Sequence, residues 1–385
     1  MPAEARHLKK KAEVNAGVYA SIDWPFAIIV LTILAFGLVM MFSASYASAW
    51  YREGDSLYYI KRQLMFAVLG VIVMLVAPHF DYHLLHKFAW PLMGVTVLLL
   101  VVVLFMPETK GTTRWIYLPG GGSFQPSEIA KFAVIVLFAH IISLNHKKMK
   151  TFSYGVLPFL LILGGIAGMM LLEPHLSGTL LIFAIGAVMM FVGGTSLVWF
   201  GLAIGLAVMA VAGAVILFPD LVPYAMTRIN YWQDPWQDMA GAGYQVVQSI
   251  YAIGSGGLFG LGIGNSKQKH LYLPEPQNDF VFSIVCEELG FVGAVMVILL
   301  FAALLWRGIV IAYKAKDKFG SMIVVGIITQ VTVQAALNIA VVTKTIPNTG
   351  ISLPFFSYGG TSLLMLLGEM GIVLAVSRQS GVGRI

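Results

Sequence analysis

The sequence predicts an all-α membrane protein, a polytopic bundle of about ten spanning helices. Two observations carry this. Hydrophobic residues make up 58% of the 385 residues and charged residues only 11%, against about 25% charged in a soluble domain; the mean hydropathy is +0.85. In addition, apolar runs of about 17–25 residues, long enough to cross a bilayer, recur along the whole chain. The 40 glycines fit the same class, because spanning helices use glycine for close backbone contact.

The segment Met1–Asp23 is polar and basic, with Arg6, Lys9, Lys10 and Lys11. No small-residue cleavage site follows it and many apolar runs do, so it reads as a cytoplasmic tail ahead of a first anchor. The runs fall near 24–44, 60–78, 86–106, 127–144, 154–172, 178–193, 197–218, 280–312, 321–343 and 355–377. The sixth is the shortest, and the eighth is long enough to tilt or project. Lys and Arg concentrate in segments such as Asn145–Thr151 and Lys314–Lys318. With both termini cytoplasmic and ten spans, these segments fall inside. That topology puts Tyr46–Tyr59, Pro107–Pro126 and the long loop 219–278, between spans seven and eight, outside. The chain, 1–385, then reads as one integral membrane domain. The half of the bundle facing the cytoplasm is expected to be nearly free of buried charge.

Several classes are excluded or weakened. The +6 formal charge forms no continuous basic face for nucleic acid. The single cysteine, Cys286, makes no intrachain disulfide or zinc cluster and reads as a small buried apolar residue. The alternation of a membrane barrel is absent. Phe259–Ser266 is glycine-rich but lacks the strand that a nucleotide loop requires. No internal repeat stands out, which weakens an inverted-repeat transporter.

Charges at membrane depth are functional candidates by default. In Gln125-Pro126-Ser127-Glu128-Ile129-Ala130-Lys131, Glu128 falls in the first turn of a helix and shares a face with Lys131. That is either an ion pair pinning the helix end or a cation held for an anionic lipid headgroup. Arg114-Trp115 is either an interface anchor or a clamp, guanidinium on phosphate and indole on sugar. The loop 219–278 opens with aromatics and charges, among them Tyr224, Arg228, Tyr231, Trp232 and Asp238. A short amphipathic helix is expected from Gly241 onward, ending at Gly254-Ser255-Gly256-Gly257. Lys269 lies further along, and Asp279 stands where the loop meets the next span. Asn278 or Asp279 can cap that span; alternatively the Asp279 carboxylate, partly desolvated, accepts a proton. Prolines and glycines interrupt Lys344–Ser362, so irregular or re-entrant backbone is expected around Ser357 and Tyr358. Glu173, His175, Glu287, Glu288 and Glu369 receive no assigned role at this level.

The runs Pro126–Lys131, Gly241–Ser249, Leu273–Phe282 with Glu287-Glu288-Leu289-Gly290, and Pro354–Ser362 resemble signatures of the SEDS family, which includes FtsW, RodA and SpoVE. The similarity covers nearly the whole chain, in order, and looks closer to the FtsW/SpoVE branch. It implies ten membrane helices, peptidoglycan glycosyltransferase activity on lipid II, and a class B penicillin-binding protein as partner. It makes Asp279 the essential loop aspartate, Arg114 and Trp115 the functionally important Arg-Trp pair and Lys131 the fourth-helix lysine. We read Asp279 as the general base, and Arg114, Trp115, Lys131, Glu128, Lys269, Ser357 and Tyr358 as the candidate substrate contacts. No metal ligand is assigned, although a divalent cation could assist the leaving pyrophosphate. Two departures stand out: His175 occupies a position where many members carry an acid, and Asn278 replaces a frequent Thr. A lipid II flippase and a non-catalytic scaffold recruiting a penicillin-binding protein are the alternatives.

Overall fold

The computed structural model describes residues 21–107, 114–118, 122–173, 175–217, 232–239, 241 and 243–380. Tyr224, Arg228, Tyr231 and most of Met1–Asp23 lie outside the described residues. The longer helices are α1 (Trp24–Glu53), α2 (Tyr58–Val76), α3 (His83–Val103), α4 (Pro126–Asn145), α5 (Leu157–Leu172) and α6 (Leu176–Gly193). They continue with α7 (Leu197–Leu217), α8 (Tyr244–Gly256), α9 (Val281–Lys314), α10 (Lys318–Val342) and α11 (Gly360–Ser380). Nine of them are long and apolar enough among the described residues to cross a membrane. The described apolar part of α7, Leu197–Leu206, is shorter, but the whole helix coincides with the expected seventh run. α8 is the amphipathic helix expected in the long loop. A two-stranded antiparallel hairpin, β1 (Ile116–Leu118) with β2 (Gly122–Phe124), lies ahead of α4.

The bundle is built around α4 and α10. Two thirds of the apolar window of each is buried, against 22% for α2, so α2 turns most of its side chains outward. α10 packs against α4, α6 and α9, while α2 lies along α11. Gly326 makes the three-way approach possible, since a Cβ there would meet Ile135 of α4 and Met189 of α6. Cys286 is buried.

The ends of the helices follow local chemistry. Asp23 caps α1, accepting from Phe26 N at 3.0 Å, and also takes a bidentate contact from Arg307 near the end of α9, 2.9–3.1 Å. Pro126 opens α4 at a position where its missing N–H costs nothing, and Glu128 meets the positive end of the helix dipole. Helix α9 is not capped by Asn278 or Asp279: Phe280 holds the N-cap position without a side-chain bond. The length of α9 is resolved by a kink at Gly290, whose φ of 66° and ψ of −161° are tolerable only for glycine.

That kink receives the loop. Leu261 N and Gly262 N donate to the carbonyls of Glu287 and Glu288, and Phe291 N donates to Gly257 O, all at 2.9 Å. The Glu287 carboxylate accepts from Ser266 Oγ and from Lys267 N. Glu288, fully buried, pairs with Lys269 Nζ at 2.8 Å and accepts from Ser43 of α1. The two glutamates at the kink thus fasten the glycine-rich stretch to the bundle.

Candidate functional site

One large cavity, about 770 Å³, collects residues from distant parts of the chain: Arg62, Arg114, Trp115, Glu128, Lys131, His175, Asp279 and Tyr358 among them. Its size falls in the range of small-molecule and cofactor sites. A smaller cavity of about 40 Å³ lies alongside and shares Glu128, Gln334 and Tyr358 with it.

Asp279 reaches the cavity because its backbone is clipped from behind. Asn338 of α10 donates through Nδ2 to Asp279 O at 2.8 Å and to Ile351 O at 2.6 Å. One amide therefore joins the start of α9 to the irregular segment 343–359. In that segment Lys344, Gly350 and Phe355 all have positive φ. The φ of 69° at Gly350 favours glycine, and a Cβ there would lie in ordinary contact with the carboxylate, 3.5 Å from Asp279 Oδ2. Gln63 of α2 holds the same segment through Ser357 O and Gly359 N.

Lys131 is 4% exposed. Its ammonium meets Glu128 at 2.8 Å and Gln334 of α10 at 3.3 Å, and Glu128 also accepts from Ser362 Oγ of α11 at 2.9 Å. The Glu128–Lys131 pair is therefore an ion pair, and both of its members line the cavity. Arg114 donates through Nε to the Glu173 carbonyl at 3.4 Å. Burial lowers the Arg114 pKa from its ordinary value, while the charges of Glu173 and Asp279 act in the opposite sense. Glu173 is fully buried and neither carboxylate oxygen finds a partner among the described residues. Burial pushes its carboxyl up to about 7, against the pull of Arg114. Tyr358 stacks edge-on with Tyr59, 4.9 Å between centroids, and burial raises its phenol pKa.

Two sequence candidates fall elsewhere. Lys269 is 3% exposed and committed to Glu288 and Ser43, because a cation at that depth needs a carboxylate beside it. It does not line the large cavity. Ser357 Oγ accepts from Leu353 N at 2.7 Å, shaping the turn rather than reaching into the larger space. The expectation of little buried charge in the half-bundle assigned to the cytoplasmic side also gives way. Asp23 is fully buried against Arg307; Glu369, 2% exposed and bonded to Gln330 at 2.9 Å, lies at the middle of α11.

Sequence reasoning passed over Arg62, Gln63 and the amides of α10. Gln330, Gln334 and Asn338 are spaced by four, so they share one face of an otherwise apolar span. That pattern was a usable signal. Among the described residues no group of three or more His, Cys, Asp or Glu is arranged to hold a metal ion.

A multi-pass helical bundle enclosing a charged cavity at the foot of a long loop defines a membrane protein built around a polar ligand site. The chain belongs to the FtsW/RodA/SpoVE family of cell cycle proteins, which it matches over residues 24–381. It is 43% identical over 364 residues to stage V sporulation protein E of Bacillus subtilis, covering 94% of this chain and 98% of that one. It is 41% identical to a probable peptidoglycan glycosyltransferase FtsW of Geobacter sp. strain M18, covering 89% and 93%. The fold is similar to a chain solved in a study of the structural coordination of polymerization and crosslinking by a peptidoglycan synthase complex. There the TM-score is 0.77 at 30% identity, covering 94% of this chain and 98% of that one. It is also similar to the rod shape determining protein RodA of Thermus thermophilus, with a TM-score of 0.68 at 28% identity, covering 93% and 97%.

Proposed function

We propose that the cavity is the active site of a peptidoglycan glycosyltransferase that polymerises lipid II, with Asp279 as general base. The activity follows from the curated relatives named FtsW. The observation that carries the site is the gathering of Asp279, Arg114, Trp115, Lys131 and Glu128 around one cavity.

Asp279 takes the proton from the 4-hydroxyl of the acceptor GlcNAc. That oxygen bonds to the anomeric carbon of the donor MurNAc as the bond to the pyrophosphate oxygen breaks. Undecaprenyl pyrophosphate leaves and the new β-1,4 linkage is inverted relative to the donor. The gain comes chiefly from orientation and from cations facing the developing charge. Arg114 and Arg62 line the cavity, and Lys131 contributes less because Glu128 already meets it. Trp115 offers a ring face to a sugar. The long loop and the cavity face the outside of the membrane and both termini the cytoplasm, in keeping with the Lys and Arg distribution. A class B penicillin-binding protein is the partner that would crosslink the strands; the structural neighbour from a peptidoglycan synthase complex supports a partner of this kind.

The test is purified chain, with such a partner, given labelled lipid II in detergent. Glycan strands should form, and Asp279→Ala should abolish them while the unfolding temperature is kept. Glu369, buried inside a span, favours a second reading as a lipid II transporter. Protein-dependent movement of lipid II across vesicles without polymerisation by the wild type would establish that reading instead.

A further inference from the structure

His175 stands at the N-cap position of α6, yet its side chain makes no capping bond. The residue is 8% exposed and lines the large cavity. Its ring packs over the first turn of α6, where a Cβ at Gly178 would lie 2.7 Å from Cε1 and 2.9 Å from Nε2. Nδ1 is buried with no hydrogen-bond partner among the described residues. Ser127 Oγ, also on the cavity, is buried and unpartnered in the same way. A buried imidazole with no cap to make and no protein partner is shaped for a ligand.

The charges around it say which kind. Arg114, ahead of β1, and Lys131 of α4 oppose its protonation, and Glu128 of α4 favours it. Glu173 lies two residues back on its own segment, with its carboxyl held near neutral pH by burial. Burial first, then the Arg114 charge, hold the His175 pKa down to about 3, so the ring is uncharged across the physiological range. Two cations against one acid make the potential at the ring positive, and that suits an anionic ligand. A neutral imidazole still carries one N–H to donate.

We propose that His175 is a ligand-contacting residue of this cavity, its neutral imidazole donating one hydrogen bond to a phosphate oxygen of the lipid-linked substrate. The proposal rests on the reading of the cavity as a lipid II site. An acid at this position supplies a helix cap; a neutral histidine instead supplies a donor without adding negative charge beside the pyrophosphate.

The test uses the purified full chain in detergent and a probe that cannot react onward, undecaprenyl pyrophosphate. Binding is measured by calorimetry beside the unfolding temperature of each variant. His175→Leu should weaken binding about tenfold or more, the loss expected for a hydrogen bond to a charged group. His175→Gln, which keeps a donor, should recover most of it. His175→Asp should cap α6 and keep the unfolding temperature, yet bind more weakly than wild type; a purely structural role predicts no such split. Any step in affinity near the ordinary histidine pKa of about 6.5 should persist in His175→Gln, because Glu173 titrates near 7 and His175 does not titrate there. Variants that bind like wild type, a step near pH 6.5 that disappears in His175→Gln, or no binding by the wild type would each overturn the proposal. Histidine-dependent binding without polymerisation of lipid II would leave it standing and remove the glycosyltransferase reading; polymerisation with unchanged binding in all three variants would do the reverse.

Discussion

Glu173 couples the site to pH at the scale of one residue. Its carboxyl has a raised pKa in the fold, about 7 against an ordinary 4.5. The folded chain therefore holds a proton that the unfolded chain has already lost between those values. By linkage, the contribution of this group makes stability fall as pH rises from about 4.5 to about 7 and level off above. Glu173→Gln should remove that slope: its thermal unfolding midpoint in detergent should match wild type in acid and exceed it at pH 8. An unchanged slope would assign the proton elsewhere. The substitution also tests Arg114, whose charge then has one fewer acid acting on it. Among the site candidates, Asp279 and Arg114 stood out in the sequence because charges at membrane depth are costly, and Trp115 through its place beside Arg114. The commitment of Lys269 to Glu288 was not legible, since the two stand 19 positions apart, one in the loop and one inside α9.

At the scale of elements, the kinked α9 and the loop fastened to it form one unit. Glu288 and Lys269 are both buried, so removing one partner leaves an uncompensated charge, at a cost of roughly 3–5 kcal/mol. Lys269→Met should lower the unfolding temperature strongly and loosen the stretch around Gly260–Lys267. The double variant Lys269→Met, Glu288→Leu should recover much of the loss, because it removes the stranded carboxylate. Proteolysis of the loop, followed in time, reads the loosening directly. If the single and double variants are equally unstable, packing and not charge holds the loop. The sequence indicated a long eighth run and a glycine-rich loop, and local chemistry explains both. What it did not indicate is that Gly290 takes the loop: a positive φ inside a helix is settled by what packs against it.

For the whole molecule, the decisive joint is Asn338. It lies in α10 near the centre of the bundle and is fully buried. Through one amide it fixes both Asp279 and Ile351, so the start of α9 and the irregular segment share a single support. Asn338→Ala should cost about 1–3 kcal/mol from the bonds lost. It should lower the turnover of lipid II about tenfold or more with a smaller change in KM, because a base displaced by about an ångström loses orientation rather than binding. Turnover equal to wild type would mean that Asp279 is placed by other contacts.

The apolar runs, the glycines and the sparse charges determined by themselves that the chain is a helical membrane bundle, because in lipid each backbone must satisfy its hydrogen bonds within its own segment. They also placed Asp279, Arg114 and Lys131 among the residues to watch. The tertiary structure alone decided which of these meet. Arg114 precedes a hairpin, Lys131 opens α4, Asp279 precedes α9 and Tyr358 precedes α11, and only the packing of α4, α10 and α11 brings them to one cavity. It also decided that Lys269 does not belong there and that His175 does. Spacing along a helix can be read from a sequence; the side of the bundle that each helix presents to its neighbours cannot, because it depends on all the others at once.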